Sequence, residues 1–389
     1  MKPTAVGKQV TKARQAMKPP LSQSGLAKRL AYNIVGRLGT SYSWILLGMM
    51  MVNFLLTFMI PSSVAKTVIV CAIAIGLIQT FGLGKKSNIG RSLVLVMTFQ
   101  SSLFDKVILT GAGNILSRGL IESLGKAHVS YGLWLVAFLP ITIFTILGSW
   151  LLTMWLFPPE KKTLEGGEEY CRAELEKMGP MSRIEIKAMI ILGLTTLLWA
   201  TDYWHHISAS KIGIIAGLFA CLPLVGVIKK EDFGKANFPI VIFIGGVMCL
   251  GSVMADTEIL KTLTAAFFKW MTPILQSSSV SAAMLLYWYS NVLHLFLADL
   301  SLISAAMPPL MEFSLKSGFN PLTLGMLWAF SLGGKVFIYQ QSALAVGYAF
   351  GYFTPKDLFK FGVGLFFIES FLLLVIIPWY WPLLGLTFR

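Results

Sequence analysis

From Tyr42 to Phe388 the chain consists of long apolar runs separated by short polar breaks, with about eleven runs near the ~20 residues that a hydrocarbon core about 30 Å thick demands of a helix. The runs are continuous and rich in Leu, Ile, Met and Phe. They lack the period-two alternation of strands, so an outer-membrane barrel is excluded and an all-α, polytopic membrane protein is predicted. The order of runs and breaks repeats. An apolar stretch is broken at Pro61-Ser62-Ser63, a long run is interrupted at Thr110-Gly111-Ala112-Gly113-Asn114, and a span ends at Trp155. Later a stretch from Thr272 is broken near Ala298-Asp299, a long run is interrupted at Gln340-Gln341-Ser342, and a terminal span ends in Trp379 and Trp381. A re-entrant hairpin followed by a broken helix, occurring twice, is the pattern of a secondary transporter with an inverted repeat and a mid-membrane site.

The only long polar stretch inside the chain, 158–187, separates the two sets. The expected division is a basic tail with an interfacial helix (1–41), a first repeat (42–157), a cytoplasmic linker (158–187) and a second repeat with additional scaffold helices (188–389). Three spans, near 188–204, 211–228 and 238–255, precede the second hairpin and have no counterparts before the first, although 25–37 corresponds to 257–269. On that comparison the first repeat is expected to lack spans upstream of Met1.

Composition sharpens the class. Hydrophobic residues make up 56% of the 389 and charged residues only 13%, more apolar surface than one soluble core can hide. The net charge of +14 would suit nucleic acid if the cations formed one soluble patch. They lie between spans instead, so nucleic acid is not an expected partner. Lys2, Lys8, Lys12, Arg14, Lys18, Lys28, Arg29 and Arg37 precede the first run, which places the N-terminus in the cytoplasm. Counting spans puts the loops with Lys85, Lys161, Lys229 and Lys356 on the same side and Arg389 outside, in an inner (plasma) membrane. No apolar core and cleavage site of a signal peptide occur in 1–41. Leu26, Leu30, Ile34 and Leu38 recur opposite Lys28, Arg29, Asn33 and Arg37, which predicts a basic amphipathic helix on the membrane surface.

Candidate chemistry lies at the breaks. Helix N-termini carry unpaired N–H donors and partial positive charge, so two facing tips at bilayer depth suit a carboxylate, sulfate or phosphate. Ionisable side chains there are costly, which singles out Lys66, Lys106, Asp299 and Lys335. A carboxylate at Asp299 repels an anion unless it is protonated, paired with Lys335 or Lys66, or holding a cation. Asp105 with Lys106, and Asp202 near His205 and His206, are expected at helix ends as solvated or locally paired charges. His294, inside an apolar run, needs a packed, hydrogen-bonded partner. Cys71, Cys171, Cys221 and Cys249 show no metal spacing and are expected to be buried thiols. There is no HExxH, nucleophile elbow or P-loop, so neither an enzyme nor an ATP-driven pump is predicted.

Several segments resemble the divalent anion/sodium symporter family, especially its 2-oxoglutarate/malate and citrate type members. Gly25-Leu26-Ala27-Lys28-Arg29-Leu30-Ala31-Tyr32 is similar to GLGKRIAY, Pro61-Ser62-Ser63-Val64-Ala65-Lys66 to the tip PSNTAR, and Thr110 to Leu116 to TAMAANPL. Pro158-Pro159-Glu160 and Met178-Gly179-Pro180-Met181-Ser182-Arg183 resemble PPE and MGPMSR, Leu293-His294-Leu295-Phe296 through Pro308 resembles HYLFASNTAHVTAMxP, and Gly351-Tyr352 ends a GTGYV-like segment.

The resemblance implies secondary transport of di- or tricarboxylates or other divalent anions, ion-coupled or by exchange, in a homodimer. It implies substrate contacts at Ser62, Ser63, Lys66, Thr110, Asn114, Asp299, Ser301, Gln341 and Ser342. Sodium is implied at Ser62, Ser63, Gly111 and Asp299, with no other cofactor. The tips here read Ser62-Ser63-Val64 and Ala298-Asp299-Leu300, in which Val64 and Leu300 remove side-chain oxygens that sodium needs. The altered tips keep open a second reading, a truncated or non-transporting regulatory protein of the same fold.

Overall fold

A computed structural model describes residues 25–37, 39–223, 225, 227–228, 238–255 and 258–389. Among them the regular structure is helical, apart from an isolated bridge between Ser41 and Thr163. The first helices are α1 (Leu26–Val35), in the expected tail, and α2 (Tyr42–Met59), α3 (Ser63–Thr80), α4 (Asn88–Leu103), α5 (Ala112–Ser123) and α6 (Tyr131–Leu156), in the expected first repeat. Then come α7 (Gly167–Met178), α8 (Arg183–Ala200), α9 (Ala209–Cys221) and α10 (Phe238–Ala255). They are followed, within the expected second repeat, by α11 (Glu258–Phe267), α12 (Ser279–His294), α13 (Asp299–Ser317), α14 (Pro321–Ser331), α15 (Ser342–Tyr348) and α16 (Pro355–Tyr380). The two series agree in length at their ends, α1 and α11 with 10 residues each and α6 and α16 with 26 each, whereas α4 and α14 have 16 and 11 and α5 and α15 have 12 and 7.

Local chemistry explains the breaks. Pro61 lacks an N–H and disfavours helical backbone at the preceding residue, so α2 ends at Ile60 with φ −130° and ψ 91°. Ser62 then starts α3, its hydroxyl accepting from the Ala65 amide at 3.3 Å. After α4 the chain tightens into a 3₁₀ turn, Phe104–Val107, and restarts at Ala112 behind an extended Gly111. In the second repeat α14 ends at Ser331, a 3₁₀ turn spans Ile338–Gln340, and α15 begins at Ser342. Both predicted hairpins and both broken helices are therefore present. With 88–123 taken as one broken span, five helices among the described residues are long and apolar enough to cross a bilayer. Ala209–Cys221 and Pro321–Ser331 are shorter apolar helices, the latter ending at the second helix break.

Spatially the chain forms two compact units that are not the two repeats. One contains the described residues of 1–104, 150–236 and 342–357, and the other those of 105–149, 237–341 and 358–389. The chain changes unit at 104/105 and 341/342, inside the two helix breaks. Each hairpin thus shares its unit with the C-terminal half of the other repeat's broken helix.

In the first unit α3 packs on α2, α4 and α15. The approach of α15 to α4 requires Gly347, where a Cβ would stand 2.0 Å from the Thr98 hydroxyl. Outside this core α1 lies along α7, with Tyr32 and Tyr170 edge to face at 6.0 Å. The packed side of α1 is Leu26, Ala27, Ala31, Tyr32 and Val35. The stripe expected from sequence is thereby corrected: Leu30 and Ile34 are only half-buried, Leu38 is outside the described residues, and Arg29 turns inward to bond the carbonyls of Gly179 at 2.7 Å and Met178 at 3.3 Å. Those carbonyls are left open where α7 ends, and a guanidinium fork satisfies them better than lysine would. Two cysteines also depart from expectation, since Cys221 is half-buried and Cys249 exposed while Cys71 and Cys171 are buried.

In the second unit α13 packs on α5, α11 and α14. Its aromatic core includes Phe138 stacked on Phe330 at 5.5 Å and edge to face with Trp134 and Trp381.

Candidate functional site

The first unit places the hairpin tip over a ladder of buried polar groups. Asn53 donates to the Met97 carbonyl at 3.0 Å and accepts from Ser101 at 3.2 Å; Thr57 donates to the Asn53 carbonyl at 3.1 Å. The Lys66 ammonium, completely buried, donates to Thr57 Oγ1 at 2.8 Å. Ser62 is exposed and Ser63 half-buried, so the hydroxyls lie at the surface of the tip while Lys66 points into the helix pair beneath it. Ser342, at the start of α15 in the same unit, is exposed.

The second unit brings together the starts of α5 and α13. Neither has a side-chain cap: the residues before them are Gly111 and Ala298. The two helices pack together, and a Cβ on Gly113, in the first turn of α5, would lie 3.2 Å from Ile303 Cδ1 of α13. Each of these two packed helices thus has an uncapped N-terminus, whose free N–H groups and partial positive charge attract negative charge. Thr110 is half-buried and Ser301 exposed at these starts. Asn114 is drawn into the backbone instead, its amide donating to the carbonyls of Asp105 at 2.6 Å and Ile108 at 2.7 Å, which holds the break open. Gln341 is half-buried, with Oε1 enclosed and without a hydrogen-bond partner.

Behind these starts lies a charged cluster. His294, completely buried, brings Nε2 to 2.7 Å from Asp299 Oδ1. Lys335 Nζ lies 3.4 Å from Asp299 Oδ2 and donates to the Leu332 carbonyl. Gln340, adjacent to the predicted Gln341, knits the second break: it donates to the His294 carbonyl at 2.7 Å and accepts from the amides of Val336 at 2.6 Å and Phe337 at 2.7 Å. Of the two partners sequence offered Asp299, Lys335 is the one the second unit supplies.

Lys106 corrects an expectation. Its ammonium is buried and pairs with Glu369 on α16 rather than with Asp105 or solvent; it sits 3.9 Å from the Phe330 ring centre, and the second oxygen of Glu369 accepts from the Tyr287 hydroxyl at 2.9 Å. Glu369 was missed from sequence, though a lone carboxylate in the run Phe366-Phe367-Ile368-Glu369-Ser370-Phe371 was a readable signal. A second unused signal is the repeat of Ser102-Leu103-Phe104-Asp105-Lys106-Val107 as Ser331-Leu332-Gly333-Gly334-Lys335-Val336, which sets a lysine at the same register of both breaks.

The residues fit a sodium ion poorly. In the second unit the carboxylate that would attract it already lies against the Lys335 ammonium. In the first, Ser62 Oγ accepts from the Ala65 amide, Val64 offers no side-chain oxygen, and the neighbouring Lys66 is a buried cation. No grouping of His, Cys, Asp and Glu suited to a metal ion occurs among the described residues.

Long apolar helices, paired hairpins and broken helices with buried charges at their breaks define a polytopic helical membrane transporter. The chain belongs to the family described as the sodium:sulfate symporter transmembrane region, whose model matches residues 18–387. It is similar to a "Membrane protein" of Cupriavidus necator, 25% identical over 373 residues that cover 94% of this chain and 72% of that protein. It is also similar to "Inner membrane protein YbhI" of Escherichia coli K12, 24% identical over 382 residues covering 93% and 77% respectively. The "L-tartrate/succinate antiporter" of the same strain is 24% identical over 380 residues, 92% of this chain and 75% of that protein.

Proposed function

We propose that this chain is a secondary carrier that exchanges di- or tricarboxylates, with four-carbon dicarboxylates as the leading class, across the inner membrane. The observation that carries the reading is that α5 and α13, which pack together in the second unit, both start without a side-chain cap. A carboxylate there accepts several N–H bonds at once, and Thr110 and Ser301 add hydroxyls at the same helix starts. The printed activity of the tartrate/succinate antiporter supports both cargo class and exchange. Ser62, Ser63 and Ser342 are the corresponding contacts of the first unit. Asn114 serves by holding the break, and Gln341 by its enclosed amide oxygen. The basic residues before α2 support a cytoplasmic N-terminus, and the family resemblance supports a homodimer.

The test is counterflow. The purified chain in proteoliposomes loaded with unlabelled succinate accumulates labelled succinate, and tartrate or malate outside competes with it. Folded protein that shows no counterflow with succinate, malate, tartrate, citrate or sulfate refutes the carrier reading in favour of a non-transporting protein of the same fold.

A further inference from the structure

We propose that Lys335 is a tethered coupling cation: its ammonium supplies at Asp299 the positive charge that a co-transported sodium ion would otherwise bring, and makes this chain's transport independent of sodium. The inference rests on the carrier reading and adds the ion requirement to it. Three observations support it.

The first is the ligand set of the ammonium. Lys335 Nζ donates to the Leu332 carbonyl and lies 3.4 Å from the Asp299 carboxylate, at a helix break. A backbone carbonyl and a carboxylate at unwound backbone are what a hard monovalent cation seeks. The lysine brings the same charge to the same oxygens but cannot leave with the cargo.

The second is charge balance. Among the described buried residues around the breaks of this unit, Lys106 is matched by Glu369, and Lys335 by Asp299 with His294 alongside. Each carboxylate already has its ammonium. A sodium ion at Asp299 would stand a few ångströms from a like charge at bilayer depth, where screening is weak.

The third is that the backbone is shaped to hold Lys335 there. A Cβ on Gly362 of α16 would stand 2.0 Å from the Lys335 carbonyl, and one on Gly334 would stand 1.8 Å from Asn291 Oδ1. A Cβ on Gly333 would meet the Lys106 ammonium at 2.6 Å. Three glycines at close approaches seat this segment against α12 and α16, so the lysine leaves from a firmly placed backbone.

The experiment compares succinate counterflow in proteoliposomes with sodium and with sodium replaced by choline, for wild type, Lys335→Gln and Lys335→Arg. Expected is less than about a twofold difference for wild type and Lys335→Arg, with sodium stimulation of about fivefold or more for Lys335→Gln, the scale of ordinary coupling between sites. A wild type stimulated by sodium on that scale overturns the proposal, and so does a Lys335→Gln protein that transports equally well without sodium. A second readout needs no transport: sodium-dependent thermal stabilisation of the detergent-solubilised protein. It is expected for Lys335→Gln and absent from wild type and from Lys335→Gln with Asp299→Asn. Sodium stabilisation of wild type also overturns the proposal, a result that stands even if Lys335→Gln fails to fold. Absence of counterflow in every protein and both salts refutes the carrier reading instead, and the stabilisation arm still decides the cation question.

Discussion

Removing Glu369 alone should be among the most damaging single changes in the second unit. Glu369 is completely buried, pairs with Lys106 and accepts from Tyr287. Glu369→Leu therefore leaves an ammonium and a hydroxyl buried without their acceptor. Breaking a buried pair on one side costs about 3–5 kcal/mol, a large share of the roughly 5–15 kcal/mol that stabilises a typical protein. The Phe330 ring, 3.9 Å from the ammonium, retains at most about 2 kcal/mol of the lost interaction. Lys106→Met alone should cost a similar amount by stranding the carboxylate. The double variant should recover most of both losses, because apolar residues of like volume replace a buried pair at little or no cost. The assay is reversible unfolding by SDS in mixed micelles, followed by tryptophan fluorescence for the four proteins of the double-mutant cycle. A coupling energy above about 2 kcal/mol is expected on this reasoning. Single losses below about 1 kcal/mol, or losses that simply add, would refute it.

Other outcomes follow from close contacts and from burial. Gly347→Ala should destabilise the first unit by about 1–3 kcal/mol, since its Cβ meets Thr98 at 2.0 Å, and Thr98→Ala in the same chain should restore part of the loss in the same unfolding assay. Arg29→Ala frees the carbonyls of Met178 and Gly179, so limited proteolysis should cut within 158–182 markedly faster than in wild type; unchanged cleavage would show that α1 does not hold the loop. Burial pushes the Cys171 thiol up to about 11, so at pH 8 it remains the unreactive neutral thiol. Maleimide labelling in micelles should therefore modify exposed Cys249 first, with labelling of Cys171 rising only as pH approaches 11.

What the chain alone determined was everything that depends on neighbours in sequence. Continuous apolar runs made helices, Pro61 and the Ser62 cap made a hairpin tip, and the doubled order of runs and breaks was visible because hydrophobic length and backbone chemistry are local properties. The ionisable residues at depth were also legible, since charge in an apolar run stands out wherever it folds. Tertiary structure decided their partners. Lys106 passes over adjacent Asp105 for Glu369, 263 residues away, and Lys335 reaches Asp299 from the next break, because a buried ammonium goes to the carboxylate that packing brings to it. Likewise the four-residue spacing of Leu26, Leu30, Ile34 and Leu38 could not show that Arg29 faces inward, since the open carbonyls that draw it lie at the end of α7. The exchange of half-helices between units is of the same kind: each break is local, but which helix packs on which is a property of the packed chain.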